Sequence, residues 1–166
     1  MGRPSTVWSG SQAEQAERGN VEFPDWLEVV IEVPRGGFIK RKDDGGVDFV
    51  SPFPCPFNYG SVPDTRSGDG DRLDALVLGE SVRRGSRLSC RVLGRVRFID
   101  AGLEDPKYIC TLRADGPEGD HPAGGLAAED HARIERFFSF YTRAKQVLNA
   151  LRGKSGATTY AGIELR

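Results

Sequence analysis

Apolar and β-branched positions come in short blocks over the first two-thirds of the chain and take a helical rhythm only near its end. Trp26-Leu-Glu-Val-Val-Ile-Glu-Val33 is rich in β-branched residues and stops at Pro34, which predicts a strand. Residues 47–51 predict a second, shorter strand behind the turn residues Asp43-Asp-Gly-Gly46. The apolar block Ala75-Leu-Val-Leu78 and the stretches 87–98 and 108–113 predict three more. Between them, Pro52-Phe-Pro-Cys-Pro-Phe-Asn-Tyr-Gly60 is expected to be neither helix nor central strand, because proline removes backbone donors. Ile134, Phe137, Phe138, Tyr141, Ala144, Leu148 and Leu151 recur at spacings of three and four, with Gly153 where a helix C-cap belongs. This order predicts an α+β chain with a mainly β core: a small barrel or curled sheet with one helix on its outside.

Composition narrows the function classes. The 166 residues carry a net charge of −1, so there is no overall basic footprint for nucleic acid or an anionic membrane. No apolar run approaches the ~18–20 residues that span a bilayer. Residues 1–20 are polar and lack the apolar centre of a secretory signal; they read as a flexible tail, with residues 21–166 as one domain. Cys55, Cys90 and Cys110 are odd in number, widely spaced and free of any CxxC pair. That argues against a disulfide framework and a zinc site, and a reduced cytoplasmic setting is expected.

The chemistry-bearing residues are carboxylates at predicted strand ends. Asp69-x-Asp71-x-x-Asp74 puts three acids within six residues, with Gly70 giving the turn room. Asp100 and Asp105 lie on a second acidic turn, and Lys107 follows at once. Such a concentration repels itself unless cations fill it, and hard divalent ions suit carboxylate oxygens. A single Asp-Gly turn is ordinarily a solvated turn; two such turns flanking strands in one small domain carry more weight. An EF-hand starting at Asp69 fails, because Leu73 and Asp74 stand where an oxygen ligand and a glycine are needed. Gly153-Lys-Ser155 fails as a phosphate-binding loop, since it follows a helix and Leu148 replaces the earlier glycine.

At Asp69-Gly-Asp-Arg-Leu-Asp74 the sequence resembles the D-x-D-[PE]-x-D signature of the family I soluble inorganic pyrophosphatases. Val29-Val-Ile-Glu-Val-Pro34, Ile39-Lys40, Phe57-Asn-Tyr-Gly60, Asp100-Ala-Gly-Leu-Glu-Asp-Pro-Lys107 and Phe137-Phe-Ser-Phe-Tyr141 are similar to further family blocks in the same order. The resemblance implies an OB-like five-stranded barrel with a flanking helix, and an Mg2+-dependent hydrolase that uses several ions. It implies Asp69, Asp74, Asp100, Asp105 and Glu32 as metal-holding residues, and Asp71 as the general base. It also implies Lys40, Tyr59, Lys107 and Tyr141 as contacts to phosphate oxygens. The partner expected is a small phosphate-containing substrate, with homo-oligomer formation left open.

Several positions depart from the family pattern. Pro52 stands for an arginine, Cys55 for a phosphate-binding tyrosine, Thr142 for the lysine after the helix tyrosine, and Lys42 for a glutamate. Arg35, Arg41, Lys42, Arg72, Arg143 and Lys145 are nearby cations able to substitute for lost donors. The expected reaction is hydrolysis of inorganic diphosphate to two phosphates by metal-activated water. Two alternatives stand beside it. In one, the same metal site acts on an organic diphosphate or another phosphate ester; in the other, the fold serves as a non-catalytic binding protein.

Overall fold

The computed structural model describes residues 23–41, 46–51, 53–67, 70–112 and 125–166. The expected tail over residues 1–20 lies outside them, as do Asp69, Lys42 and Pro52. In chain order the strands are β1 (Trp26–Val33), β2 (Ile39–Arg41), β3 (Val47–Val50), β4 (Asn58–Ser61), β5 (Asp74–Leu78) and β6 (Arg87–Asp100). They continue with β7 (Leu103–Glu104) and β8 (Lys107–Leu112); the helix α1 (Ala128–Leu151) and β9 (Thr159–Leu165) complete the chain.

The main sheet runs β1-β4-β5-β8-β6, and β6 pairs back onto β1 from Trp26↔Arg91 to Val30↔Arg87. That last pairing closes five strands into a barrel and leaves none of them an open edge. Neighbouring barrel strands are antiparallel except β5 and β8, which run parallel with Asp74 opposite Lys107. β7 and β9 both add to β6, and β2 and β3 form a separate hairpin.

Apolar side chains collect on both faces of the barrel wall. Val29, Ile31, Ala75, Val77, Cys90, Val92, Tyr108 and Cys110 converge from opposing strands to fill the interior. The alternate positions Leu76, Leu78, Val96, Phe98 and Ile109 point outward, where Ile134 and Phe138 of α1 cover them. β5 is therefore buried along its whole length, which explains its unbroken apolar run.

Three expectations need correction. Asn58-Tyr59-Gly60 does form a central strand, between β1 and β5. The prolines stop at Pro56, so residues 58–61 keep the backbone donors a ladder needs. Gly60 is required there, since a Cβ would lie 2.3 Å from the Val30 carbonyl. Strand β9 was not expected after the helix; Gly162, at φ +101, interrupts its local strand signal. On α1, Leu151 belongs to the apolar repeat yet is 81% exposed. Gly153 does close the helix, at φ +67, with Gly153 N–H donating to Ala150 O and Lys154 N–H to Asn149 O.

Candidate active site

The parallel β5–β8 register places Asp74 and Lys107 side by side at their strand starts, on the outward face that α1 covers. Lys107 is 1% exposed and spans two carboxylates, 2.8 Å from Asp74 Oδ2 and 2.6 Å from Asp105 Oδ1. Lys40, from β2, donates to Asp74 Oδ1 at 3.2 Å. The Tyr59 hydroxyl, from β4, donates to Asp74 Oδ2 at 2.5 Å, and the Lys40 ammonium sits 5.3 Å from the Tyr59 ring centroid. Asp74 thus accepts from three different strands.

The titration behaviour follows from this crowding. Burial alone would raise the Asp74 pKa, but the Lys107 and Lys40 charges outweigh it and hold the carboxyl down to about 2. Burial would likewise discharge Lys107, yet Asp74 and Asp105 hold its pKa above the ordinary lysine value. Lys40 is shifted upward too: desolvation is overcome by Asp74, with Glu32 close enough to add support. Tyr59 and Tyr141 are pushed upward, first by burial and then, for Tyr59, by Asp74. Both phenols stay protonated and able to donate.

Asp100 ends β6, and a two-residue turn, Ala101 at φ +50 and Gly102 at φ +84, leads into β7. Its Oδ1 accepts from Asn149 Nδ2 at 2.7 Å and Thr158 Oγ1 at 3.3 Å, while Oδ2 pairs with the Lys145 ammonium at 2.8 Å. Burial would raise the Asp100 pKa; the hydrogen bonds from Lys145 and Asn149 override it and lower it. Tyr141 links the two groups, since its pKa feels Lys107, Asp105, Asp74 and Asp100 together. Its ring stacks on Phe137 and tilts against Phe98, which fixes its placement.

The structure therefore brings Lys40, Tyr59, Asp74, Asp105, Lys107, Tyr141 and Asp100 to one region, with Glu32 beside Lys40. Asp71 is exposed on the turn before β5, where the Ser67 N–H donates to the Asp71 carbonyl at 2.7 Å. Asp69 lies outside the described residues. Asn149 and Thr158 were missed by sequence reasoning, and Lys145 was only one of six cations named. The available signal was the four-residue spacing Tyr141, Lys145, Asn149, which puts three polar groups on one side of a helix.

The donors are chemically suited to a hard cation. All the acidic groups are carboxylates, the oxygen set that magnesium selects. Among the described residues no three acidic, histidine or cysteine side chains converge on one point. Asp74 and Asp105 meet around the Lys107 ammonium instead, a place already built for positive charge.

Comparison with known proteins gives this arrangement a lineage. The sequence profile described as inorganic pyrophosphatase matches residues 29–161. The chain belongs to the inorganic pyrophosphatase family. It is 38% identical over 132 residues to soluble inorganic pyrophosphatase 2 of Chlamydomonas reinhardtii, covering 74% of this chain and 68% of that protein. It is 42% identical over 94 residues to the inorganic pyrophosphatase of Aquifex pyrophilus, covering 52% of this chain and 53% of that one. The chain thus spans about half to two-thirds of the length of such curated relatives. The fold matches the crystal structure of inorganic pyrophosphatase from Thermus thermophilus with a TM-score of 0.67 and 29% identity, over 89% of this chain and 86% of that one. The Helicobacter pylori inorganic pyrophosphatase gives a TM-score of 0.68 at 27% identity, over 86% and 85%. The closed five-stranded barrel with a flanking helix expected from the sequence is the architecture found. Among the described residues no helix is long and apolar enough to cross a membrane.

Proposed function

We propose that this chain hydrolyses inorganic diphosphate to two phosphates with magnesium. Family membership supports the reaction class, and the observation that carries it is the buried Asp74–Lys107–Asp105 cluster with Lys40, Tyr59 and Tyr141 around it. Bound magnesium ions would neutralise the substrate's anionic oxygens and acidify a water, lowering its pKa from ~15.7 toward neutrality. Asp69, Asp74, Asp100, Asp105 and Glu32 would hold these ions.

The remaining steps belong to the chain itself. Asp71, exposed on its turn and open to solvent, accepts the proton of the attacking water. Attack breaks one P–O bond of the anhydride, and the freed oxygen stays on the departing phosphate. Lys40, Lys107, Tyr59 and Tyr141 keep their protons and offer donors to the phosphate oxygens, where charge grows in the transition state. The aromatic wall of Phe98, Phe137 and Phe138 lowers the local dielectric, which strengthens each of these contacts.

The relatives named above are inorganic pyrophosphatases, which does not favour an organic diphosphate substrate or a non-catalytic role. The assay is phosphate release with magnesium, comparing inorganic diphosphate with organic diphosphates and monoesters. Release from inorganic diphosphate first, and loss of turnover in Asp71→Asn at an unchanged melting temperature, are expected. Magnesium uptake without release from any of these compounds refutes the hydrolase reading. We place the working protein in the cytoplasm, where its three buried thiols stay reduced. Phe140, Val147 and Leu151 are exposed on α1, with Phe53 packed 5.3 Å from Phe140, an apolar face that supports homo-oligomer formation. Light scattering after size exclusion tests that.

A further inference from the structure

Strand β4 ends on a hydroxyl that has no hydrogen bond among the described residues. Ser61 is 3% exposed, and its Oγ is buried without a partner. An orphan of this kind carries the full desolvation cost of its hydroxyl, which leaves it poised to bond an acceptor that comes within reach. The sheet register says which acceptor that is. In the antiparallel β4–β5 pair Ser61 lies opposite Asp74, so both side chains stand on the same face. Tyr59, two residues earlier, shares that face and already gives its hydroxyl to Asp74 Oδ2. Cβ atoms of opposed residues lie ~4.5–5.5 Å apart, which puts the carboxylate within reach of the hydroxyl through a change of χ1.

The other groups around Ser61 are engaged or apolar. On its second side it faces Val30 of β1. Next along the chain, the Val62 N–H donates to the Leu73 carbonyl, and the Val62 carbonyl accepts from the Thr65 hydroxyl. Asp74 is held by donors from three other strands: Lys107 and Tyr59 at Oδ2, and Lys40 at Oδ1. A carboxylate offers about four acceptor positions, so these leave room for one more. A dication at Asp74 repels both ammonium groups, and Lys40 is the one free to leave. Its side chain is 27% exposed and 3.2 Å from the carboxylate, against 1% and 2.8 Å for Lys107.

Resting on the hydrolase reading, we propose that Ser61 is a positioning residue of the magnesium site, whose hydroxyl donates to the Asp74 carboxylate once an ion has displaced Lys40 from it. The orphaned hydroxyl is then the mark of the metal-free state, and its missing bond is made on loading. Ser61 keeps Asp74 in place while Lys40 turns to phosphate oxygens. Ser61 itself touches neither substrate nor ion.

The test uses the full chain and magnesium alone, so that binding is read without turnover. Hydrogen bonds to charged groups are the strong class, so Ser61→Ala is expected to weaken magnesium binding by calorimetry about tenfold or more. In a chelator its melting temperature is expected to equal or exceed that of the unsubstituted protein, because the substitution removes a bond that is not made there. Ser61→Thr keeps a hydroxyl on Cβ and is expected to recover most of the affinity. Equal magnesium uptake by the unsubstituted protein and Ser61→Ala, including none by either, overturns the proposal. A Ser61→Ala protein that melts lower in the chelator also overturns it, since the hydroxyl would then be bonded without the ion. So does a Ser61→Thr protein that binds magnesium no better than Ser61→Ala. Failure of the hydrolase reading is separate: it shows as absence of phosphate release by the unsubstituted protein, whatever its magnesium binding.

Discussion

Replacing Lys107 by methionine separates the two roles that the buried carboxylates combine. Methionine keeps an unbranched stem of similar length beside Phe98, whose ring centroid lies 5.7 Å from the Lys107 ammonium, and removes only the charge. Asp74 then retains Lys40 at 3.2 Å and the Tyr59 hydroxyl at 2.5 Å, while the 2.6 Å ion pair of Asp105 is lost. Breaking a buried ion pair by deleting one partner costs ~3–5 kcal/mol. The two surviving donors of Asp74 put the expectation at the low end, about 3 kcal/mol. For a chain of this size that lowers the melting temperature by about 6–12 °C. The assay is thermal unfolding by circular dichroism, once in a chelator and once with magnesium at millimolar concentration. In the chelator the full loss is expected. With magnesium both proteins gain, because a dication stabilises only the folded chain it binds, and the variant gains more, since its carboxylates have lost the Lys107 charge that competes with the ion. A variant that melts with the unsubstituted protein in the chelator refutes the claim that the ion pair stabilises the site. Melting temperatures of both proteins that do not respond to magnesium refute the claim that these carboxylates gather divalent ions.

Two further outcomes follow from the same geometry. The Asp74 pKa is depressed from 3.8 to about 2, so its contribution is fully present above pH ~4 and lost as pH falls through the folded value. Acid titration of the metal-free protein should therefore cost on the order of 2 kcal/mol between pH ~4 and ~2, and Asp74→Asn should flatten that part of the curve, read by chemical unfolding at each pH. Gly94→Ala would put a Cβ 2.4 Å from the Glu164 carbonyl, so β9 should separate from β6. Hydrogen exchange is expected to lose protection over Thr159–Leu165 and to keep it in β1 and β5; unchanged protection in β9 would refute the contact.

Much of the molecule was legible in the sequence because its signals are local. The run Trp26–Val33 is a strand as expected, and the apolar spacing of Ile134 and Phe138 marks the helix face that packs on the barrel. The motif order identified the family, and with it the fold and the carboxylates to examine. What remained hidden depends on residues far apart in the chain. Barrel closure was expected through the family resemblance alone: it is the β1–β6 pairing, about sixty residues apart, and no local propensity encodes a partner at that distance. The placement of Asn58–Ser61 between β1 and β5 overrode a proline-rich neighbourhood, because only tertiary pairing used the donors those residues keep. Leu151 carried the right period but is left exposed among the described residues. The charge state of the site is likewise a tertiary property. Asp74 and Lys107 are 33 residues apart, and only the parallel register of two strands makes one buried group compensate the other. The hold of Asn149 and Thr158 on Asp100 comes from the packing of helix, turn and final strand, contacts that residue identity alone does not announce.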